Sequence, residues 1–257
     1  MSSRSATRGL TGVLTCLLIG VSVSPAEAQE GLRGRFALHV NFGYQFSSDD
    51  VREDIEFRAY GETARFVAAH EIKGGQVVDG GAFIHVWEQL AVGGTFSQTE
   101  GIDATSVTGA VPHPLQVGLD RSIAPQSFDL TRREKATHIH IAWLIPLPQV
   151  EKLDIRIMAG PTYFNLTQSS VPGVIVSEAG GPPFASVNVD SVVTGELVKN
   201  GWGGHIGADV SYMFSTYVGA GGFVRFAVGS VDLPRGGTSV TTSVGGFQSG
   251  GGLRVRF

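Results

Sequence analysis

The sequence predicts an all-β fold, an antiparallel up-and-down transmembrane β-barrel of eight strands, with ten spanning strands as the alternative. Three observations carry that prediction. Segments of about ten residues alternate between apolar and polar side chains, the period of a strand with two unlike faces. Only 16% of the residues are charged while 36 are glycine, against roughly 25% and ~7% in an average soluble domain. Aromatic residues also gather near the ends of the apolar faces, at Phe36, Tyr44, Phe46, Trp143, Tyr163, Trp202, Tyr212 and Phe214. A membrane barrel carries such girdles at both interfaces.

Residues 1–28 read as a secretory signal. Arg4 and Arg8 give a basic start, residues 9–24 form a mostly apolar run, and Pro25-Ala26-Glu27-Ala28 offers small residues for cleavage. The run falls short of the ~20 residues a spanning helix needs. Its Cys16 is the sole cysteine. The domain that follows, residues 29–257, is therefore cysteine-free, which excludes disulfides, thiolate metal sites and cysteine catalysis. A net charge of −4 argues against a nucleic-acid partner.

The strands follow in order. In the first, Phe36, Leu38, Val40, Phe42, Tyr44 and Phe46 share one face, opposite Arg35, His39, Asn41 and Gln45. In the second, Val78, Gly80, Ala82, Ile84 and Val86 oppose Asp79 and His85. Leu90, Val92, Gly94 and Phe96 mark the third; Ile139, Ile141, Trp143 and Ile145, opposite His138 and His140, mark the fourth. Leu153, Ile155, Ile157 and Ala159 oppose Asp154 and Arg156, and Trp202, Ile206, Ala208, Val210 and Tyr212 oppose His205 and Asp209. Val218, Ala220, Val224 and Phe226 oppose Arg225, and Phe247, Leu253, Val255 and Phe257 oppose Gln248, Arg254 and Arg256. Short joins near residues 87–90, 146–152 and 214–218 alternate with long ones at 47–75, 100–133, 169–201 and 233–245. That parity suits short turns on one side of a membrane and long loops on the other. Ile55-Glu56-Phe57 and residues 65–72 add strand character inside the first long join, with Lys73-Gly74-Gly75 as a tight turn.

The polar faces define the candidate site. His39, Asp79, His85, His138, His140, Asp154, Arg156, His205, Asp209, Arg225, Arg254 and Arg256 are expected to point into the lumen. An eight-stranded lumen is just wide enough for side chains to fill, and a buried charge needs a partner. A plug of ion pairs is the expectation, with Asp154 beside Arg156 and Asp209 meeting Arg225. His138 and His140, at i and i+2, are weak candidates for a metal pair. No compact ligand motif supports them, so no metal or other cofactor is expected. G-x-S-x-G is absent, and no enzyme activity is expected.

The chain stops at Leu253-Arg254-Val255-Arg256-Phe257. This resembles the C-terminal signal of outer-membrane barrels, with Leu253, Val255 and Phe257 as its apolar positions. In pattern, residues 33–257 resemble the small outer-membrane β-barrel families, of which the OmpA-type transmembrane domain and OmpW are members. The resemblance implies a bacterial outer-membrane location, contact with outer-membrane lipid, and recognition by the barrel assembly machinery. No appended peptidoglycan-binding domain is expected, because the chain ends with the last predicted strand. These families include anchors, narrow pores, adhesins and enzymes, so the resemblance does not fix an activity. The expected role is structural or surface-interacting, with a plugged lumen. A narrow porin-like channel and a soluble periplasmic ligand-binding barrel are the alternatives.

Overall fold

Strict alternation, repeated over eight segments, gives each strand one surface for the barrel wall's outside and one for its inside. The computed structural model describes residues 35–87, 89–145, 147, 152–235 and 238–257; residues 1–28, read above as a secretory signal, lie outside them. The strands are β1 (Phe36–Ala59), β2 (Glu62–His85), β3 (Leu90–Pro112), β4 (Asp120–Ile145), β5 (Leu153–Glu178), β6 (Val187–Met213), β7 (Val218–Arg235) and β8 (Thr238–Arg256). Each pairs antiparallel with its sequence neighbours, and β1 pairs with β8 to close the ring. The ring has eight strands, not the alternative ten. Residues 55–57 and 65–72 are the far halves of β1 and β2.

The long joins are corrected by the structure. They are mostly strand: β1 and β2 continue to a turn at Tyr60 and Gly61, β3 and β4 to residues 113–119, and β5 and β6 to residues 179–186. Tyr60 (φ 52) and Gly61 (φ 84) both take positive φ, as a two-residue hairpin turn requires. Lys73-Gly74-Gly75 is no turn. Gly74 (φ 91) lies inside β2, where the register slips between Phe46 and Asp49 and between Glu71 and Gln76. The glycines there serve a bulge, a role that composition does not separate from a turn.

The wall has two tiers of opposite polarity. Toward the short turns, the outer face carries Phe36, Leu38, Phe42, Ile84, Ile139, Ile141, Ile206 and Val224, all exposed, while His39, Asn41, Asp79, His138, Asp209, Arg225 and Arg254 are buried inside. Phe36 to Phe46 on β1 and Trp202 to Tyr212 on β6 each span ten residue steps of outward wall between exposed aromatics. Ten residues at ~3.3 Å, tilted by about 40°, rise roughly 25 Å, the height of a barrel's apolar band. The cross-strand row Phe96, Thr137, Tyr163 and Trp202 bounds the band; the next row is Gln98, Lys135, Asn165 and Asn200. Beyond it the faces exchange roles. Ile55, Phe66, Val107, Val111, Leu130 and Val174 are buried in one cluster, and Glu100 and Arg133 pair on the outside.

The ring also opens above the band. β1–β8 pairing stops at Phe46 and Phe247, β4–β5 at Arg132 and Gln168, and β6–β7 at Trp202 and Ser230. Three separate pieces rise beyond these points: the sheet β1–β2–β3–β4, the hairpin β5–β6 and the hairpin β7–β8. Val171 and Val174 of β5 share a core with Phe66 of β2 and Val107 of β3, so the β5–β6 hairpin closes over the four-stranded sheet as a small sandwich.

Candidate functional site

Inside the band, the inward residues of six strands form one continuous network. Asp209 on β6 accepts from Arg254 on β8, through Nη2 and, at 3.4 Å, Nε. Arg254 Nη1 donates to Asn41 Oδ1 at 2.5 Å, and Asn41 Nδ2 donates to Asp79 Oδ1 at 2.7 Å. Arg225 donates to Asp79 at 3.1 Å and to Gln248 Oε1 at 2.7 Å. Gln248 Nε2 donates to Gln45 Oε1 at 2.6 Å, which also accepts from Thr99 at 2.8 Å. Gln45 Nε2 passes the chain to the carbonyl of Gly245 at 2.8 Å. Charges taken from water are tolerated when paired and bonded in this way, and removing one partner strands the other.

The histidines occupy the other side of the same tier. His138 is held on both nitrogens, by Ser97 Oγ at 3.1 Å and Thr162 Oγ1 at 2.9 Å. Thr162 Oγ1 also meets His205 Nδ1 at 2.9 Å, and Thr95 Oγ1 meets His39 Nε2 at 3.2 Å. The His138 and His140 rings lie 4.8 and 5.4 Å from that of His205. Among the described residues no group of three or more His, Cys, Asp or Glu forms a metal set.

All twelve residues read from the sequence lie on the lumenal side or at its mouth, but two pairings differ from expectation. Asp154 pairs with Arg256 at 3.1 Å rather than with Arg156. Asp209 pairs with Arg254 and, at 3.9 Å, with Arg156, while Arg225 pairs with Asp79. Register is the reason: Asp209 stands opposite Phe223, and Arg225 opposite Gly207. From there the long Arg225 side chain reaches across the lumen to β2. His85 sits half-buried at the short-turn end. The neutral links Asn41, Gln45, Thr99 and Gln248 carried only their inward parity as a signal. Arg132 was missed because residues 100–133 read as loop, and Glu134 because it falls between that join and the predicted strand residues that begin at His138. They form a buried pair at 3.5 Å, and Glu134 accepts the amide of Gly245 at 3.1 Å.

A clasp ties the far hairpins. Glu178 on β5 accepts from Arg121 on β4 at 2.5 and 2.9 Å and from the Tyr60 hydroxyl at 2.7 Å. Arg121 also donates to the carbonyls of Pro112 and Phe184, each at 2.9 Å. The Arg121 guanidinium holds the Glu178 carboxyl below its usual range, and the bond to Glu178 pushes the Tyr60 phenol up. A lowered carboxylate stabilises above its ordinary value and loses that contribution as pH falls through the folded one. The amides at the tip of the β5–β6 hairpin should therefore be less protected, relative to their intrinsic exchange rate at the same pH, below about pH 4 than at neutrality. Arg121→Met should bring on the same loss of protection at neutral pH; unchanged protection in that variant would count against the clasp.

The geometry has the form of a small outer-membrane-type β-barrel: a closed antiparallel ring with apolar wall outside and bonded charge inside. The chain is similar in fold to the outer membrane protein OprG of Pseudomonas aeruginosa, with a TM-score of 0.50 at 11% identity over 88% of this chain and 96% of that one. It also matches the N-terminal β-barrel domain of OprF from the same organism (TM-score 0.38, 11% identity, 88% and 99% covered). The outer membrane protease OmpT of Escherichia coli matches at TM-score 0.43 and 8% identity, with 86% and 96% covered. No family model and no curated protein sequence matches the chain.

Proposed function

We propose that this chain is an integral protein of the bacterial outer membrane that does not conduct, and that its hairpins carry a surface-interaction role outside. The observation that supports this reading is the exchange of polarity between the two tiers. An exposed apolar wall with charge inside suits lipid, while apolar core with charge outside suits water. A soluble barrel would need the opposite arrangement in its lower tier, which argues against the ligand-binding alternative. The long hairpins then face outward, and the short turns and the mouth at Asp154 and Arg256 face the periplasm.

Two features argue against the narrow-pore alternative. The chain of bonds from Asp209 to Gln45 crosses the lumen, and the apolar cluster of the upper tier lies above it. A cavity of about 10 Å³ beside Gln45, Arg132 and Glu134 has room for a single water. Planar-bilayer recording of the refolded protein tests the reading. A silent bilayer containing demonstrably folded protein is the expected result; reproducible single-channel steps would overturn it.

A further inference from the structure

We propose that the periplasmic half of the lumen holds a small inorganic anion, of the halide class, against Arg156 and Ser211. Among the described residues the charges of the lower tier do not balance. Four arginines, Arg156, Arg225, Arg254 and Arg256, face three aspartates, Asp79, Asp154 and Asp209. Asp79 serves Arg225 and Asp154 serves Arg256, so Asp209 is left to serve two. It lies against Arg254 and leaves Arg156 at 3.9 Å. The histidines cannot supply the missing negative charge, since an imidazole is neutral or positive in either state. A surplus guanidinium at 3% exposure needs a counter-charge.

The unpartnered atoms point to the same place. Arg156 Nε and Ser211 Oγ are buried without a hydrogen-bond partner among the described residues. Both are donors, Arg156 obligatorily. They sit together by register: Arg156 pairs with Asp209 across β5 and β6, and Ser211 is the next inward residue, opposite Asp154. The Arg156 guanidinium lies over the Phe83 ring at 5.1 Å, and the His140 ring lies 4.8 Å from it between centroids. The His39 ring lies 5.4 Å from the same Phe83 ring, and His39 and His140 each carry an unpartnered ring nitrogen. Each can turn a proton toward an anion by choice of tautomer.

Among the described residues, every lower-tier carboxylate is engaged, and the orphans there are guanidinium, hydroxyl and imidazole groups. The upper tier differs: its orphans mix acceptors, Asp103 Oδ1 and Gln168 Oε1, with the donor Arg132 Nη1. Water satisfies such a mixture. It does not neutralise the lower tier's surplus charge. Entry is from the mouth, where Arg256 and Asp154 keep 28% and 15% of their side-chain surface exposed. The site holds whether or not the barrel conducts.

Urea unfolding of the full folded chain in sodium bromide, against sodium gluconate at the same ionic strength, tests the proposal. Native protein should show a midpoint that rises with bromide and saturates. Arg156→Gln should abolish the rise and be at least as stable as native protein in gluconate, because it removes the surplus charge. Ser211→Ala should raise the half-saturating bromide roughly tenfold, the usual effect of losing one bond to a charged group, and it carries the comparison should Arg156→Gln not fold. In crystals grown in bromide an anomalous peak should lie beside Arg156. Equal midpoints in the two salts, an unchanged bromide response in either variant, or a peak elsewhere would overturn the site.

Discussion

Asp209→Ala should lower the unfolding free energy by about 3–5 kcal/mol, the usual cost of breaking a buried ion pair by removing one partner. Asp209 is 3% exposed and takes two bonds from Arg254. Without it, Arg254 keeps only Asn41 and a backbone carbonyl, and Arg156 loses its 3.9 Å ion pair. The loss should therefore be larger than a single hydrogen bond, which contributes only about 0.5–1.5 kcal/mol. Asp209→Asn keeps the volume and separates charge from shape. Urea titration of the detergent-folded protein reads both variants. A cost under about 1 kcal/mol for Asp209→Ala would mean that the Asp209–Arg254 pair adds little beyond what solvation of Arg254 supplies.

A charge on the outer face should be as costly for a different reason. Ile206 is 58% exposed, lies between Trp202 and Tyr212 on β6, and pairs with Ala159 and Phe226. In lipid, Ile206→Arg should cost about 2–4 kcal/mol, the price of a cation near the bilayer midplane. Asn200→Arg, in the polar row beside Asn165, should cost about 0–1 kcal/mol, as at an interface. Refolding equilibria in lipid vesicles measure the difference. Equal effects at the two positions would remove the membrane from the account, because in water both are merely exposed sites.

The lower tier was legible in the sequence because the period of a strand and the polarity of its surroundings coincide there. Phe36 to Phe46 alternates without a break, and its parity put His39, Asn41 and Gln45 inside. Pairing partners were not legible. Arginine reaches across a lumen as easily as along its own strand, so Arg225 found Asp79 at a sequence separation no local rule contains. The upper tier failed for the opposite reason. Residues 127–133 alternate as well, but with Leu130 inside and Asp129, Thr131 and Arg133 outside. Read with the polarity of the lower tier, such a segment looks like a polar loop. Bulges at Gly74 and between Val107 and Gly109 broke the remaining runs.

The alternation that builds the wall has one more consequence, for the chain before it folds. Because every second residue of a spanning strand is polar or small, no stretch of β1 or β6 is oily by itself, and among the described residues no helix is long and apolar enough to cross a membrane. The greasy surface of Phe42, Ile141, Ile206 and Val224 is a collective property that comes into being only as neighbours align. A lone strand cannot enter lipid first and find its partners later, since its amides would arrive there unbonded. For this architecture, acquiring a shape and acquiring a membrane are a single concerted event, completed when β8 meets β1.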